Sequence, residues 1–284
     1  MYLNCHSYYS FKFGVLSVEE LLALAAENGV TTLALTDINN TSGCLDFARL
    51  ASKYNVKPVV GIDYRNGADC CYVGIAHNNE GFRELNEHLT DHLVNERKFA
   101  AIAPEFEHAS IIYPFGIGNT IDHLRKNEYI GICPNDIPTL RISRFQSFKK
   151  KLIALAPVTF RNKKDFNTHR LLRAIDTNRL LSMLPQTEEG DVSEVMIPEA
   201  DLCLRYTDFP DIIKNTKALL ECSTIDFEFG KNKNKKVFYD AVQKDREVLR
   251  SLAEEGLKYR YGNPAPPVKA RLEKELETIF QLGF

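Results

Sequence analysis

Short apolar runs alternate with helix-like segments through the first two-thirds of the chain. The apolar runs have the composition of β-strands. They are Met1–Asn4, Thr32–Leu35, Pro58–Ile62, Cys71–Ile75, Ser110–Tyr113, Tyr129–Cys133 and Leu152–Val158. We therefore predict about seven strands, most of them separated by helices. Strand–helix repeats with short connections fit a parallel α/β barrel and an open sheet alike, so the pattern leaves both open.

Local signals define the first helix and one hairpin. Ser17–Glu20 is a capping box, apolar residues at helical spacing follow from Leu21 to Ala25, and Gly29 suits the end of the helix. Asn66-Gly67 lies between the third and fourth predicted strands and is typical of a type I′ turn. These two strands are therefore predicted to form an antiparallel hairpin, which makes any barrel irregular.

Helical patterns take over after about residue 195. Pro210–Glu221 and Phe238–Tyr261 are amphipathic, and the charge run Lys231–Lys236 between them predicts a solvated loop. Pro264–Pro267 breaks the chain before a last helix with an apolar stripe. Because the sequence stops at Phe284 with that stripe uncovered, we expect a piece of a longer protein.

Composition and charge exclude several classes of protein. The 284 residues are 44% hydrophobic and 26% charged, which is ordinary for a soluble protein. No apolar run reaches the roughly 18 residues that span a bilayer, and no secretion signal opens the chain, so we expect a cytoplasmic protein without membrane contact. Residues 231–284 hold 12 Lys/Arg and 8 Asp/Glu, while residues 1–230 hold 24 and 30. An acidic body with a basic tail is poorly suited to bind nucleic acid by itself.

Candidate chemistry lies where the first two predicted strands end. His6 follows the first apolar run and Asp37 follows the second, and strand ends carry the chemistry of parallel α/β folds. His88 and His92 have the spacing of metal ligands on a helix, but Leu89 replaces the glutamate of the His-Glu-x-x-His motif, so we predict solvated side chains. The seven cysteines are scattered without a Cys-x-x-Cys pair, which argues against disulfides and structural zinc.

Five stretches of the sequence carry a family resemblance. They are Asn4–Ser10, Leu35–Gly43, Lys57–Asp63, Asn78–Leu89 and Leu257–Phe284. Together they resemble the N-terminal part of the alpha subunit of bacterial replicative DNA polymerase III, which begins with a PHP (polymerase and histidinol phosphatase) domain. The resemblance implies an α/β fold, with a distorted (β/α)7 barrel in residues 1–230 and a helical C-terminal extension. Within that extension it implies a helical linker in residues 231–263 and the first helix of a polymerase palm in residues 264–284.

The resemblance also implies a metal site, because PHP domains hold about three divalent cations with His, Asp, Glu and Cys side chains at their strand ends. The family's His-x-His motif reads Asn4-Cys5-His6 in this chain, and its Thr-Asp-His motif reads Thr36-Asp37-Ile38. The glutamate expected after the third strand appears as Asp63. The fourth-strand histidine falls on Cys71 or a neighbour, and the late Asp-x-His motif falls near Pro157-Val158-Thr159.

At these positions His6, Asp37 and Asp63 keep ligand chemistry. Three ligands suffice for one divalent ion but not for a cluster, so we expect no cofactor, or at most one weakly held Zn, Mn or Mg ion. Without two metals, the clamp on the attacking and leaving oxygens of a phosphodiester is lost. Structural alternatives remain open: Asp37 as the cap of a helix beginning near Thr41 or Ser42, His6 as a core imidazole, Asp63 as the anchor of the hairpin entry, and Cys71 as a core residue.

The expected function is that of a structural and docking module in DNA replication. The resemblance implies that the parent protein is a DNA-directed DNA polymerase, a nucleotidyltransferase whose catalytic carboxylates lie beyond this chain. It implies the palm of the same subunit as one partner, the separate proofreading exonuclease subunit as another, and DNA contact only through the full polymerase. The alternative is a residual metal-dependent 3′–5′ exonuclease built on His6, Asp37 and Asp63. A free-standing PHP phosphatase is a third hypothesis, which requires a complete ligand set.

Overall fold

The computed structural model describes residues 1–118, 121, 123–231 and 237–282, and the chain divides into two compact units, residues 1–227 and residues 228–284. The strands are β1 (Tyr2–Cys5), β2 (Thr32–Leu35), β3 (Lys57–Asn66), β4 (Asp69–Ala76), β5 (Ala109–Pro114), β6 (Glu128–Ile132), β7 (Leu152–Ala154) and β8 (Pro157–Val158). The helices are α1 (Val18–Glu27), α2 (Cys44–Ala51), α3 (Asn79–Val94), α4 (Phe115–Gly118), α5 (Ile137–Leu140), α6 (Lys163–Asp176), α7 (Glu199–Leu204), α8 (Pro210–Cys222), α9 (Val242–Tyr261) and α10 (Pro266–Leu282). Each of the seven predicted strand runs overlaps an observed strand, and the last run overlaps both β7 and β8.

The predicted helix start and the predicted hairpin are confirmed. Ser17 caps α1 by accepting from the Glu20 N–H, and the Glu20 side chain accepts from the Ser17 N–H in return. The helix ends at Asn28, and Gly29 follows it with φ +66°. β3 and β4 form the hairpin, but Asn66 pairs with Asp69, so the turn residues are Gly67, at φ +68°, and Ala68. The predicted type I′ turn at Asn66-Gly67 is wrong, because that turn needs a positive φ at both residues and Asn66 does not have one. In the part of the chain that the structure describes, no helix is long and apolar enough to cross a membrane.

Among the described residues, eight strands form one sheet in the order β7-β6-β5-β4-β3-β2-β1-β8. β4 runs antiparallel to β3 and β5, and the other pairs are parallel. The two edges, β7 and β8, are separated along the chain by Leu155 and Ala156 alone. Because three Cα–Cα steps span at most about 11 Å, the sheet curls until its edges come close together. Residues 152–158 thus act as a split seventh strand, and the predicted α/β class and distorted barrel are confirmed.

The inside of the curled sheet is a packed core. One buried cluster takes side chains from β1 to β5 and from β7, namely Leu3, Ala34, Val59, Val73, Ile112 and Ile153. β6 places Gly131 there, where a Cβ would lie 2.6 Å from the Leu155 side chain. Leu219 and Leu220 of α8 join the same cluster, while a larger cluster packs helices against the outside of the strands. The apolar filling leaves the carboxyl ends of the parallel strands as the place for polar chemistry.

The second unit contains α9 and α10 and is described by itself. The Arg250 guanidinium of α9 donates to both carboxylate oxygens of Glu273 on α10, at 2.8 Å each. The predicted loop Lys231–Lys236, apart from its first residue, and the predicted chain end at Phe284 lie outside the described residues. The predicted boundaries after residues 230 and 263 stay predictions.

Candidate functional site at the barrel mouth

Four polar residues gather at the carboxyl ends of adjacent parallel strands. His6 follows β1, Thr159 follows β8, Asp37 follows β2 by two positions, and Asp63 lies in the second half of β3. Each of the four has 0% of its surface exposed. The structure therefore places His6, Asp37 and Asp63 at the barrel mouth, but inside the protein rather than in an open cleft.

Asp63 is the centre of a buried ion-pair network. Its two carboxylate oxygens accept from the Arg65 guanidinium, at 3.0 Å from Nε and 2.7 Å from a terminal nitrogen. Its Oδ2 atom also lies 3.0 Å from His6 Nε2 and 3.4 Å from Asn4 Nδ2. Burial by itself raises the pKa of Asp63, but the charge of Arg65 and hydrogen bonds from Arg65 and His6 hold that pKa well below its ordinary value. Asp63 is thus ionised, inaccessible to solvent and paired mainly with Arg65.

His6 links Asp63 to a second carboxylate, that of Glu194. Thr159 Oγ1 donates to Glu194 Oε2, and His6 Nδ1 lies 2.9 Å from the same Thr159 hydroxyl. His6 Nε2 lies against the Asp63 carboxylate. Both ring nitrogens of His6 therefore have buried hydrogen-bond partners, Asp63 on one side and Thr159 on the other. We call His6, Asp63, Arg65, Thr159 and Glu194 the mouth network.

Asp37 belongs to a different hydrogen-bond cluster. Its Oδ1 atom accepts from the Ser7 backbone N–H at 2.6 Å and from Ser10 Oγ at 2.7 Å, and its Oδ2 atom accepts from Ser7 Oγ at 2.7 Å. Burial raises the pKa of Asp37 in spite of these donors. α2 begins after Gly43, and the donors to Asp37 are groups of the β1 loop rather than helix N–H groups, so the predicted helix cap is wrong. Asp37 fastens the loop after β1 to the end of β2.

Phe13 packs over the mouth network. Its ring centre lies 4.7 Å from the central guanidinium carbon of Arg65 and 5.6 Å from the His6 ring. His169 holds the Phe13 backbone, because its Nδ1 donates to the Phe13 carbonyl at 2.7 Å while its Nε2 accepts from the Gly190 N–H at 2.9 Å. Burial lowers the pKa of His169 to about 4. A neutral, buried histidine therefore supports the aromatic cover of the network.

The other candidate ligands make contacts of their own. The Cys71 thiol accepts from Asn66 Nδ2 at 3.3 Å and packs in the outer core. His88 Nε2 lies 2.7 Å from the Tyr72 hydroxyl, and burial lowers the pKa of this half-buried histidine to about 4, so the prediction of a solvated side chain is wrong for His88. Within the described ranges, no group of three or more His, Cys, Asp or Glu side chains is arranged to hold a metal ion.

Three sets of hydrogen-bond partners of the site residues were not identified from the sequence. Arg65 could have been identified, because strand residues two positions apart share a face and Asp63 is a candidate site residue. The serines that bind Asp37 follow His6 closely, but serine in a loop carries no specific signal. Glu194 lies 35 positions beyond Thr159 in an irregular segment, where no periodicity brings the two together.

A family model for the PHP domain matches residues 3–113, from within β1 into β5, and this range includes His6, Asp37 and Asp63. These residues are therefore similar to the PHP domain family. A solved amidohydrolase from Chromobacterium violaceum is 15% identical to it, with a TM-score of 0.27 over 72% of this chain and 96% of the other.

Along its whole length the chain is similar to the N-terminal PHP region of bacterial DNA polymerases. It is 24% identical to the error-prone DNA polymerase of Symbiobacterium thermophilum, with 100% of this chain and 30% of that protein covered. It is also 24% identical to the DNA polymerase III subunit alpha of Escherichia coli K12, with 100% of this chain and 28% of that protein covered. The chain thus spans less than a third of the length of these curated relatives.

Proposed function

We propose that the chain is a structural and docking module of a DNA polymerase of the III alpha class, in which an internal ion-pair network stands at the position expected for metal. The observation that supports this proposal is the burial and pairing of the Asp63 carboxylate. Its carboxylate has no exposed surface and is already shared between the Arg65 guanidinium and the His6 ring. A phosphodiester would have to displace both side chains to approach it.

The residues present do not fit a metal centre as they are arranged. A divalent ion needs free carboxylate lone pairs and a neutral imidazole nitrogen. Both Asp63 oxygens accept from Arg65, both His6 nitrogens lie against hydrogen-bond partners, and Asp37 accepts from Ser7 in the loop after β1. In the described part of the chain, every buried side-chain nitrogen and oxygen has a hydrogen-bond partner. This arrangement of donors therefore does not support a metal-dependent step.

The proposed partners follow from the length of the relatives. This chain covers 28–30% of two such polymerases, so a polymerase of that kind has further parts to which the chain does not correspond. We propose that its palm contacts the helical extension, α9 and α10. On family resemblance, we propose a separate proofreading exonuclease subunit as a second docking partner. We propose that the chain contacts DNA only as part of the full polymerase. The proposed location is the cytoplasm.

Metal analysis of the purified chain tests the loss of catalysis. Protein prepared without chelator should hold far less than one Zn, Mn or Mg ion per molecule, and added Mn²⁺ or Zn²⁺ should leave its melting temperature unchanged, because a ligand that binds the folded state raises it. It should degrade single-stranded DNA no faster than its Asp37→Ala variant. Asp46→Ala is the matched control, since Asp46 is half exposed and pairs with Arg49 on the surface of α2.

The opposite result would establish the residual exonuclease. Two or more Zn or Mn ions per chain, together with 3′–5′ exonuclease activity that Asp37→Ala abolishes and Asp46→Ala retains, would overturn the structural role as a complete account.

Docking is tested by coexpression with the remainder of the polymerase from the same organism. We expect a one-to-one complex that survives gel filtration in moderate salt. Separate elution of the two parts at micromolar concentration would contradict the docking role.

A further inference from the structure

Arg65 stands out as a buried cation that serves a single anion. Its side chain is 10% exposed, its two donor nitrogens meet the two oxygens of Asp63, and its central guanidinium carbon lies 4.7 Å from the centre of the Phe13 ring. A planar fork with two parallel donors matches a carboxylate better than a point charge does. The space around the guanidinium is therefore shaped for a flat cation with two N–H groups.

Arg65 supplies the positive charge beside Asp63 in the mouth network. Its guanidinium donates to both oxygens of the Asp63 carboxylate, while His6 links that carboxylate to Thr159 and Glu194. Without the guanidinium, Asp63 keeps its contacts to His6 and Asn4 but lacks the partner that met both of its oxygens. An ionised carboxylate with no exposed surface is strongly unfavourable unless a cation or donor replaces the lost one.

We infer that Arg65 is an internal counter-cation and that its guanidinium fills a cation site of the barrel, a site that accepts a free guanidinium ion when the side chain is truncated. The site consists of the Asp63 carboxylate and the Phe13 ring. The inference rests on the proposed function, since it takes the mouth of the natural chain to be free of metal. It adds the chemical class of the ligand, which is a planar monocation rather than a divalent ion.

Chemical rescue of Arg65→Ala tests this inference. Melting temperatures are measured in chelator-containing buffer with methylguanidinium chloride, well below denaturing concentrations, and with ammonium chloride or sodium chloride at equal ionic strength. Methylguanidinium should raise the melting temperature of Arg65→Ala by about 2–4 °C at roughly five times its Kd. The unmodified chain and Arg83→Ala should not respond, because Arg83 is an exposed arginine on α3 that pairs with Glu80 and Glu87.

Two outcomes of this measurement would overturn the inference. One is an Arg65→Ala response to methylguanidinium no larger than that of Arg83→Ala. The other is an equal response to ammonium, because a point charge lacks the fork geometry that defines the site.

A double variant covers the case in which Arg65→Ala does not fold. Asp63→Asn combined with Arg65→Gln removes both charges, so it should fold, melt above Arg65→Ala and ignore methylguanidinium. A double variant that stays unfolded would overturn the inference. Failure of rescue leaves the docking role intact, whereas metal-dependent exonuclease activity of the unmodified chain overturns that role whatever the rescue shows.

Discussion

Replacing Asp37 with alanine removes the acceptor that ties the β1 loop to the end of β2. Three donors lose their partner, namely the Ser7 N–H, the Ser7 hydroxyl and the Ser10 hydroxyl. A hydrogen bond to a charged group contributes about 1.5–3 kcal/mol, and a stranded buried donor costs about 1–3 kcal/mol. Because the two hydroxyls can turn toward other acceptors and the burial cost of the carboxylate disappears, we expect a net loss of about 3–5 kcal/mol.

Asparagine at the same position separates hydrogen bonding from charge. Its Oδ1 atom still accepts from the Ser7 N–H and from Ser10, and its amide nitrogen donates to the Ser7 hydroxyl. Because burial raises the pKa of Asp37, the charge itself is unfavourable there, so Asp37→Asn should cost only about 1 kcal/mol.

Urea unfolding followed by near-ultraviolet circular dichroism measures these changes. The chain has no tryptophan, and its fully buried tyrosines, Tyr64, Tyr72, Tyr113 and Tyr206, all lie in the first compact unit, so the signal reports on that unit. The Asp46→Ala control should change the free energy of unfolding by less than about 0.5 kcal/mol. A loss below about 1 kcal/mol for Asp37→Ala, or equal losses for both Asp37 variants, would refute the reasoning.

Three further predictions concern other parts of the molecule. The pKa of His169 is about 4 in the folded chain and about 6.5 when unfolded, so the unfolded state binds more protons between these values and stability falls as the pH drops through them. Relative to His169→Gln, the chain should lose about 2 kcal/mol between about pH 8 and pH 5 in urea titrations, and parallel curves would contradict this. Gly61→Ala should cost at least about 1–3 kcal/mol, because its Cβ would lie 2.1 Å from the Gly74 carbonyl oxygen; full stability in urea would show that β3 and β4 can shift. Arg250→Ala should leave the melting temperature unchanged, since the ion pair of Arg250 with Glu273 is exposed, and a clear thermal shift would be inconsistent with an exposed pair.

Much of the fold could be predicted because strands buried on both faces read as continuous apolar runs. All seven runs were visible, and the Asn66-Gly67 dipeptide predicted the antiparallel hairpin. Closure of the barrel could not be predicted from the apolar pattern. Residues 152–158 form one apolar run, and no residue in it signals that β7 pairs with β6 while β8 pairs with β1. Pairing between strands far apart in the chain depends on the whole sheet rather than on local sequence.

The site was predictable only in its location. Strand ends pointed to His6, Asp37 and Asp63, and the structure joins His6 to Asp63 while Asp37 turns to the β1 loop. Which neighbours share a buried carboxylate depends on distances of a few ångströms that residue spacing does not specify. Arg65 is the exception, since its position two residues after Asp63 on one strand already placed both charges on the same face.

The split seventh strand also sets an order of assembly during synthesis. Asp63 and Arg65 lie two residues apart and can pair as soon as β3 forms, whereas His6 and Thr159 are 153 positions apart. At 5–20 residues per second, roughly 8–30 s pass between the emergence of these two residues from the ribosome. For that interval the outer edge of β1 has no partner strand, and the outer edge of β6 has none from its own synthesis until β7 follows it, and unpaired edges favour association with other chains. The last strand to be made therefore both covers the edges of the sheet and brings Thr159 to the His6 ring.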